Sequence, residues 1–543
     1  VHVAARLAVG GSLMPYYLLH AGTALQKMSV TGNVKTLTLP AGETVSASVR
    51  ARFAMLDNIV VVVNAPSVNM QIWGADYSVR PLSLTGPGTA SVTASAGAAG
   101  NPRGTYRYRY TYCVTTGSVV LSESPWSDAS DPVTVDNQQI SVSGITTSSD
   151  ASVTARKLYR TTNNGAEYYL VTTIGDNSTT SYTDNSSDYD LALLAEIEPK
   201  GNPPGVDSTD RLRVITAWKD RLWASPLNDP DRIYFSGNRQ HSSWLEDDYL
   251  TAKPVGEDEI GVVGFMARRD ELVVAKRRRL MKIIGDSRAN FQMILIAEGV
   301  GGVSQEAMIV VRDTAYFLAE DGFYEYGPKG LVSLSRDQVH PWFTTDDFFN
   351  RAKFTDAFAY WNPFYDVIHL HLAAANSNNL DRWVTYDLAR KLWLGPHLTA
   401  AFTPTAGALL DDANLFPIPA MGSSSGSVYL QNSTTSSDAG SAIDFDVYSK
   451  FHSGNTPDIH KYFAELAVIT KVESTGSLTI TPTVGDLNSS ASTAFTHNLT
   501  LGRERLGRIG LGRFVQLRFR QSDNNQGVEL YGYEIPFHEL GRR

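Results

Sequence analysis

DTAYFLAEDGFYEYGP, from Asp313 to Pro328, reads as two short apolar and aromatic strands joined by the hairpin signal Asp321-Gly322. Alternation on both sides of that dipeptide suits a strand pair, and Asp-Gly suits a turn whose central residues take positive φ. The same unit, a polar turn followed by an aromatic-ended strand, recurs along the chain. It is found in MQIWGADYSVRPLSL (70–84), LRVITAWKDRLWASPL (212–227), IGVVGFMARRDELVVAKRRRLMKIIG (260–285) and AFAYWNPFYDVIHLHLA (357–373) followed by RWVTYDLARKLWLG (382–395). From Arg211 onward the units return about every forty to fifty residues, the period of four-stranded propeller blades. The signature dipeptides of the WD and kelch repeats are missing, so the blades are degenerate.

Composition agrees with an all-β reading. The 543 residues are 42% hydrophobic and 10% aromatic, enough for a large core, and 43 glycines with 24 prolines supply turns. Long stretches of helical period are few. A net charge of −9 lacks the basic footprint of a dedicated nucleic-acid binder. With one cysteine, Cys113, no intramolecular disulfide is available, and without an adjacent Lys or His the thiol reads as a small core residue. No apolar run reaches the ~18 residues of a membrane-spanning helix, and the first residues lack a signal-peptide layout.

TYRYRYTYCVTT sets Tyr106, Tyr108, Tyr110 and Tyr112 on one face of a strand. With LYRTTNNGAEYYLV, a hairpin over Asn164-Gly165, and the closing SYTDN, this stretch resembles a fibronectin type III sandwich of the kind found in phage structural proteins. The expected fold is therefore a degenerate β-propeller with an inserted sandwich and a C-terminal β region. Residues 1–85 contribute to the propeller. Residues 86–200 form the insertion with flanking linkers, GPGTASVTASAGAAGNPRG (86–104) being one of them. Residues 201–450 carry the blades, with GSVYLQN and IDFDVYSKF finishing the circle, and 451–543 form the C-terminal region.

Chemical motifs are sparse. Gly422-Ser423-Ser424-Ser425-Gly426 matches G-x-S-x-G in letters, but a nucleophile elbow needs a strand, a sharp turn and a helix, and here it lies among serines between strand patterns. His369 and His371, two apart with Asp366 nearby, share a strand face; a half-buried pair is preferred to a zinc site because spacing dictates no third ligand. Asp184, Asp188 and Asp190 lack the spacing of a calcium loop. No cofactor, metal or catalytic residue is assigned. The one outstanding charge feature is Arg268, Arg269, Lys276, Arg277, Arg278, Arg279 and Lys282. It reads as a patch facing DNA phosphates in a channel, or as a solvated strand end or subunit contact with Glu246-Asp247-Asp248. The second reading is favoured, since a channel that passes DNA should not grip it. Arg503, Arg505, Arg508 and Arg513 pose the same choice.

Taken together, VGGVSQEAMIVVRDTAYFLAEDGFYEYGPKG, WVTYDLARKLWLG and VELYGYEIPFHELGRR resemble the propeller-bearing tail nozzle or hub proteins of short-tailed bacteriophages. That resemblance implies a non-enzymatic virion protein, assembled in the host cytoplasm as a ring of six copies. The ring would enclose the exit channel for genomic DNA, beneath a portal-side adaptor, with an outer surface for tail fibres or spikes and transient contact with the host envelope. Two alternatives stay open: a glycan-binding or glycan-degrading propeller, and an adhesin or baseplate component of a longer tail.

Overall fold

The computed structural model describes residues 16–541, apart from 75, 83, 118, 194–200, 202–210, 253–260, 399–400, 412–415, 432–436, 486–492 and 524–525. Strands make up 54% of it and helices 5%, so the chain is all-β. Among the described residues no helix is long and apolar enough to cross a membrane.

Seven small antiparallel sheets follow one another through residues 16–36, 52–81, 212–251, 264–298, 308–333, 358–398 and 404–430; they are called blades 1 to 7. Five of them have four strands in simple sequential order, while blades 1 and 7 have three. The reason they stack is written in the alternation of their strands. In Ile59–Asn64 every residue is buried, because Val60 and Val62 pack toward blade 1 while Val61 and Val63 pack toward blade 3. Period-two geometry sends neighbours to opposite faces, so a continuous apolar run marks a strand covered on both sides.

Thr314–Leu318 and Phe323–Gly327 in blade 5 obey the same rule. Ala315, Phe317, Tyr324 and Tyr326 share a core with blade 4, and Tyr316, Leu318 and Phe323 share one with blade 6. Blades 3 and 4 meet through Trp218, Trp223, Phe265 and Leu272, and blades 6 and 7 through Phe358, Tyr360 and Met421. The series returns to its start: Tyr17, Leu19 and Met28 of blade 1 pack on Leu410 and Ala420 of blade 7. Each sheet thus hides both faces on its neighbours, the arrangement of a degenerate propeller. The strand-end aromatics, Tyr234, Trp244 and Trp393 among them, lie in these shared cores.

Turns lace the blades as well. Trp218 Nε1 donates to the Arg268 carbonyl at 2.7 Å, Arg268 Nε to the Asp313 carbonyl at 2.7 Å, and Arg312 Nη1 to Asp366 Oδ2 at 3.0 Å. Blades 3, 4, 5 and 6 are linked in that order. The turns Lys219-Asp220 and Arg312-Asp313 take positive φ at both residues, the tight hairpin form that non-glycine residues adopt at a cost. The Asp321-Gly322 hairpin differs from expectation. Its closing bond runs from Ala319 N–H to the Gly322 carbonyl, so Glu320-Asp321 is the central pair, and neither residue has positive φ. Glycine is needed at 322 for packing, since a Cβ there would overlap Ser335 Oγ.

The insertion is a sandwich of three strands on four, with Thr93–Tyr106, Val133–Ser143 and Ser181–Asp184 facing Tyr108–Thr116, Val119–Glu123, Ala155–Thr161 and Tyr168–Ile174. The four tyrosines are all buried in its core. Reading 86–104 as a linker is overturned: Thr93–Tyr106 is a fourteen-residue strand paired to Val133–Ser143. Its small residues are demanded by close approach. A Cβ at Gly97 would sit 3.1 Å from the Gln139 carbonyl, and one at Gly100 would overlap Asn185 Oδ1. The acidic stretch that follows is also structured. Ser187 and Asp190 cap the short helix Asp188–Ala192, and Asp184 and Asp188 hold Arg160, which accounts for these carboxylates without calcium; residues 194–200 of the expected linker lie outside the described residues.

Arg160 and Asp184 are both fully buried, 2.7 Å apart, and Tyr108 Oη donates to the same Asp184 oxygen at 2.7 Å. Removing one member of such a pair leaves an uncompensated buried charge. Asp184→Ala is expected to cost the insertion about 3 kcal/mol, read as faster amide exchange confined to 93–184 in the full chain.

The second compact unit comprises Gln431–Arg543 with Thr399–Phe402. Its two four-stranded sheets close on Phe463, Leu466, Ile480, Val515 and Phe519. This moves the boundary placed at 450. Phe445–Tyr448, within IDFDVYSKF, pairs with Phe514–Gln521 in this unit, so the blade series ends with Val428–Leu430, within GSVYLQN.

Candidate functional site

The centre of the blade series carries a polar cluster that no local sequence pattern announces. Arg52, at the start of a strand in blade 2, reaches Glu306, which precedes the first strand of blade 5. Its Nε donates to Oε1 at 2.8 Å and its Nη2 to Oε2 at 3.3 Å, the two-point geometry that makes Arg–carboxylate pairs specific. Arg52 Nη1 also donates to the Arg213 carbonyl of blade 3 at 2.8 Å. Arg213 in turn donates to the Val262 carbonyl ahead of blade 4. Arg50 Nη1 lies 3.7 Å from Glu306, while its Nη2 donates to the Asp356 carbonyl ahead of blade 6 at 2.6 Å. Ser304 Oγ joins through the Ala357 carbonyl at 2.8 Å. Blades 2 to 6 are therefore bridged across the middle by side chains aimed at strand-start carbonyls. Burial lowers Arg50 from the ordinary guanidinium value, with Glu306 and Asp356 opposing the shift; burial and the neighbouring Arg52 lower Arg213.

Beside this cluster, a polar cavity of about 710 Å³ opens between blades 1, 2, 6 and 7. His20, Arg50, Asp356, Asn378 and Ser423 to Ser425 border it. Serine, histidine and aspartate thus do meet around the G-x-S-x-G letters, yet the imidazole is engaged. His20 Nδ1 accepts from Ala51 N–H at 3.1 Å and Nε2 lies 2.8 Å from the Gly22 carbonyl. Its lone pair is spent on the backbone, and burial lowers its pKa further. Ser423 ends a strand and Ser424 to Gly426 turn into the next strand, so the strand-turn-helix of a nucleophile elbow is not formed.

The basic run does not stay together. Four-residue strand Leu272–Ala275 separates its two ends. At one end Arg268 pairs with Glu271 and Lys282 Nζ lies 3.0 Å from the same carboxylate, while Arg269 N–H donates to Asp313 Oδ1 at 2.8 Å. At the other end Lys276 is buried 3.3 Å from Asp231, and Arg279 lies 3.4 Å from Glu298. Arg277 and Arg278 both reach Glu320 at the tip of the blade 5 hairpin. Burial pushes the Glu320 carboxyl up, and hydrogen bonds from Arg278 and Arg277 more than offset it, leaving the group below its ordinary value. Arg268, Lys276, Arg277, Arg278, Arg279 and Lys282 each have a carboxylate partner within the chain, whereas Arg269 is tied through its backbone N–H. The acidic Asp248 likewise pairs with Arg288 at 2.5 Å. In the C-terminal unit Arg503 pairs with Glu534 at 2.8 Å, and Arg505 and Arg508 border a separate cavity.

His369 and His371 do share a face, and both are buried. His371 stacks on Phe358 with ring centroids 4.5 Å apart, and Trp383 lies against both His371 and His397. His369 Nδ1 lies 2.9 Å from Thr385 Oγ1, whereas His369 Nε2 and both nitrogens of His371 have no hydrogen-bond partner. Among the described residues no three His, Cys, Asp or Glu side chains gather as a metal site. Cys113 is fully buried, 3.7 Å from Thr111 Oγ1.

No family model matches the chain. No curated protein matches it either. Solved structures with partial likeness include the computationally designed Ika8 protein, 9% identical over 78% of this chain and 99% of that one, with a TM-score of 0.31. BBS1N in complex with ARL6DN is 12% identical over 56% of this chain and 82% of that one, with a TM-score of 0.27. The fold described above rests on the strand pairing and shared cores of the chain itself.

Proposed function

We propose that this chain is a structural virion protein, a tail nozzle or hub whose copies stand side by side in a ring around the DNA exit channel. The observation that carries the reading is the bridged centre. Arg52 and Glu306 join blades 2 and 5, so a blade series tied across its middle serves as a stiff wall element. A DNA path then runs between copies, not through the middle of one. The internal pairing of most of the basic run supports a surface that holds a passing phosphate backbone only weakly, and the engaged His20 supports a non-enzymatic role. The insertion and the C-terminal sandwich supply further surface for an adaptor and for fibres or spikes.

Sedimentation at micromolar concentration tests the assembly. A species of six chains is expected; a stable 59.3 kDa monomer, absent from purified virions, would overturn the proposal. The second reading, a glycan-binding or glycan-degrading propeller, draws on the hydroxyl- and amide-rich cavity at Asn378, Asn379 and Ser423 to Ser425. It would displace the first if reducing sugar were released from host polysaccharide and one Asp or Glu substitution abolished the release.

A further inference from the structure

Where strand Leu272–Ala275 ends, the run Lys276 to Arg279 divides by direction. Lys276 turns inward to Asp231 and Arg279 toward Glu298. Arg277 and Arg278 instead cross to the blade 5 hairpin, where Nε of each meets one oxygen of Glu320. A third guanidinium arrives from the next connection, Arg351 Nη2 lying 3.5 Å from the Glu320 carbonyl. Two guanidiniums thus share one carboxylate, and a third lies on the carbonyl of the same residue. They do so around a cavity of about 420 Å³ whose far wall is formed by Val303 and Phe354, both buried.

The layering matters for access. The side chains of Arg277 and Arg278 are 44% and 68% exposed while Glu320 is 26% exposed, so the carboxylate lies beneath and the guanidiniums face the solvent. Guanidinium forks match tetrahedral oxyanions in two-point geometry. The cavity is roomier than a bare oxyanion needs, and its apolar wall suits the carbon-bearing part of an ester.

We infer that Arg277, Arg278 and Arg351 form a binding site for a phosphate group, with Glu320 as the built-in counter-ion that keeps its affinity low. The inference is independent of ring assembly. Glu320 competes with the incoming phosphate for the same donors, so a weak site is the consequence. Removing its charge has opposite effects under the two accounts. A site for phosphate gains affinity, and a merely structural ion cluster gains nothing.

The experiment titrates the full chain with inorganic phosphate by calorimetry and with a labelled 20-base-pair duplex of mixed sequence by anisotropy. Glu320→Gln is expected to bind phosphate about tenfold more tightly than wild type, and Arg278→Ala about tenfold more weakly. Arg351→Gln, which disturbs only the contact to a carbonyl, provides a second loss variant should Glu320→Gln destabilise the hairpin. If the ligand is a nucleic-acid backbone, the duplex also binds, the same variants shift it, and its affinity falls with a log–log salt slope of about −2 for two phosphates. If it is a free phosphate, only the calorimetric arm responds. Absence of phosphate binding in both wild type and Glu320→Gln overturns the inference. So does a change of sedimentation in Arg278→Ala with phosphate binding unaltered, which would assign the cluster to an acidic protein partner.

Discussion

Between pH 6.5 and 4.5 the blade series is expected to lose stability through two imidazoles, about 2 kcal/mol from His369 with His371 adding in the same direction. Burial holds His369 at about 3, with His397 adding to the shift. Burial holds His371 well below the ordinary histidine value, with His369 adding to it. Tyr360, which packs against both rings, and His397 are the titratable neighbours in this cluster; no carboxylate there favours a cation. In the unfolded chain both rings take up a proton as pH falls through about 6.5, and in the folded chain they stay neutral. The unfolded state then binds more protons, so stability is full above pH 6.5 and declines below it, by about 1.4 kcal/mol per pH unit for each ring.

His371→Phe separates this effect from the titration of carboxylates. Both nitrogens of His371 lack partners, so an apolar ring of similar shape should leave stability at pH 7.5 within about 1 kcal/mol of wild type. Denaturant unfolding at pH 7.5, 6, 5 and 4.5 would show the variant gaining on wild type as pH drops. Parallel curves for the two proteins would contradict the burial of a neutral ring.

Glu306→Ala is the second large effect, expected to cost about 4 kcal/mol. Glu306 is mostly buried and accepts from Arg52 at 2.8 Å, with Arg50 and Ser304 also close to its carboxylate. Its removal strands two guanidiniums and loosens the bridge that joins blade 2 to blade 5. Replacing Arg52 by Met together with Glu306→Leu should recover much of the loss, because the penalty arises from the unpaired charge more than from the missing attraction. A loss below about 1 kcal/mol for the single variant would mean that the centre is solvated and the bridge carries no load.

Much of the fold was legible because burial on two faces leaves a mark in sequence. IVVVVN, TAYFL and FYEYG alternate their side chains between two neighbouring sheets, and the tyrosine ladder from Tyr106 to Tyr112 marks a sandwich core. What stayed hidden has physical causes. Small residues in 93–106 read as flexible, but Gly97 and Gly100 are small because Gln139 and Asn185 press on them. The Arg52–Glu306 bridge joins residues 254 apart in sequence, and a contact that long leaves no local period. The run from Arg268 to Lys282 looked like one patch because charge in a list is adjacent, whereas strand Leu272–Ala275 carries its ends to different partners. IDFDVYSKF has the texture of a blade strand, but its partner Phe514–Gln521 lies about seventy residues further on.

Two-dimensional class averages of the purified, assembled protein by electron microscopy distinguish a ring from isolated copies. A six-fold ring is expected, its open channel at the common axis between copies and the middle of each propeller filled where Arg50, Arg52 and Glu306 meet. Isolated single particles, or a ring whose passage runs through the middle of each propeller, would contradict it.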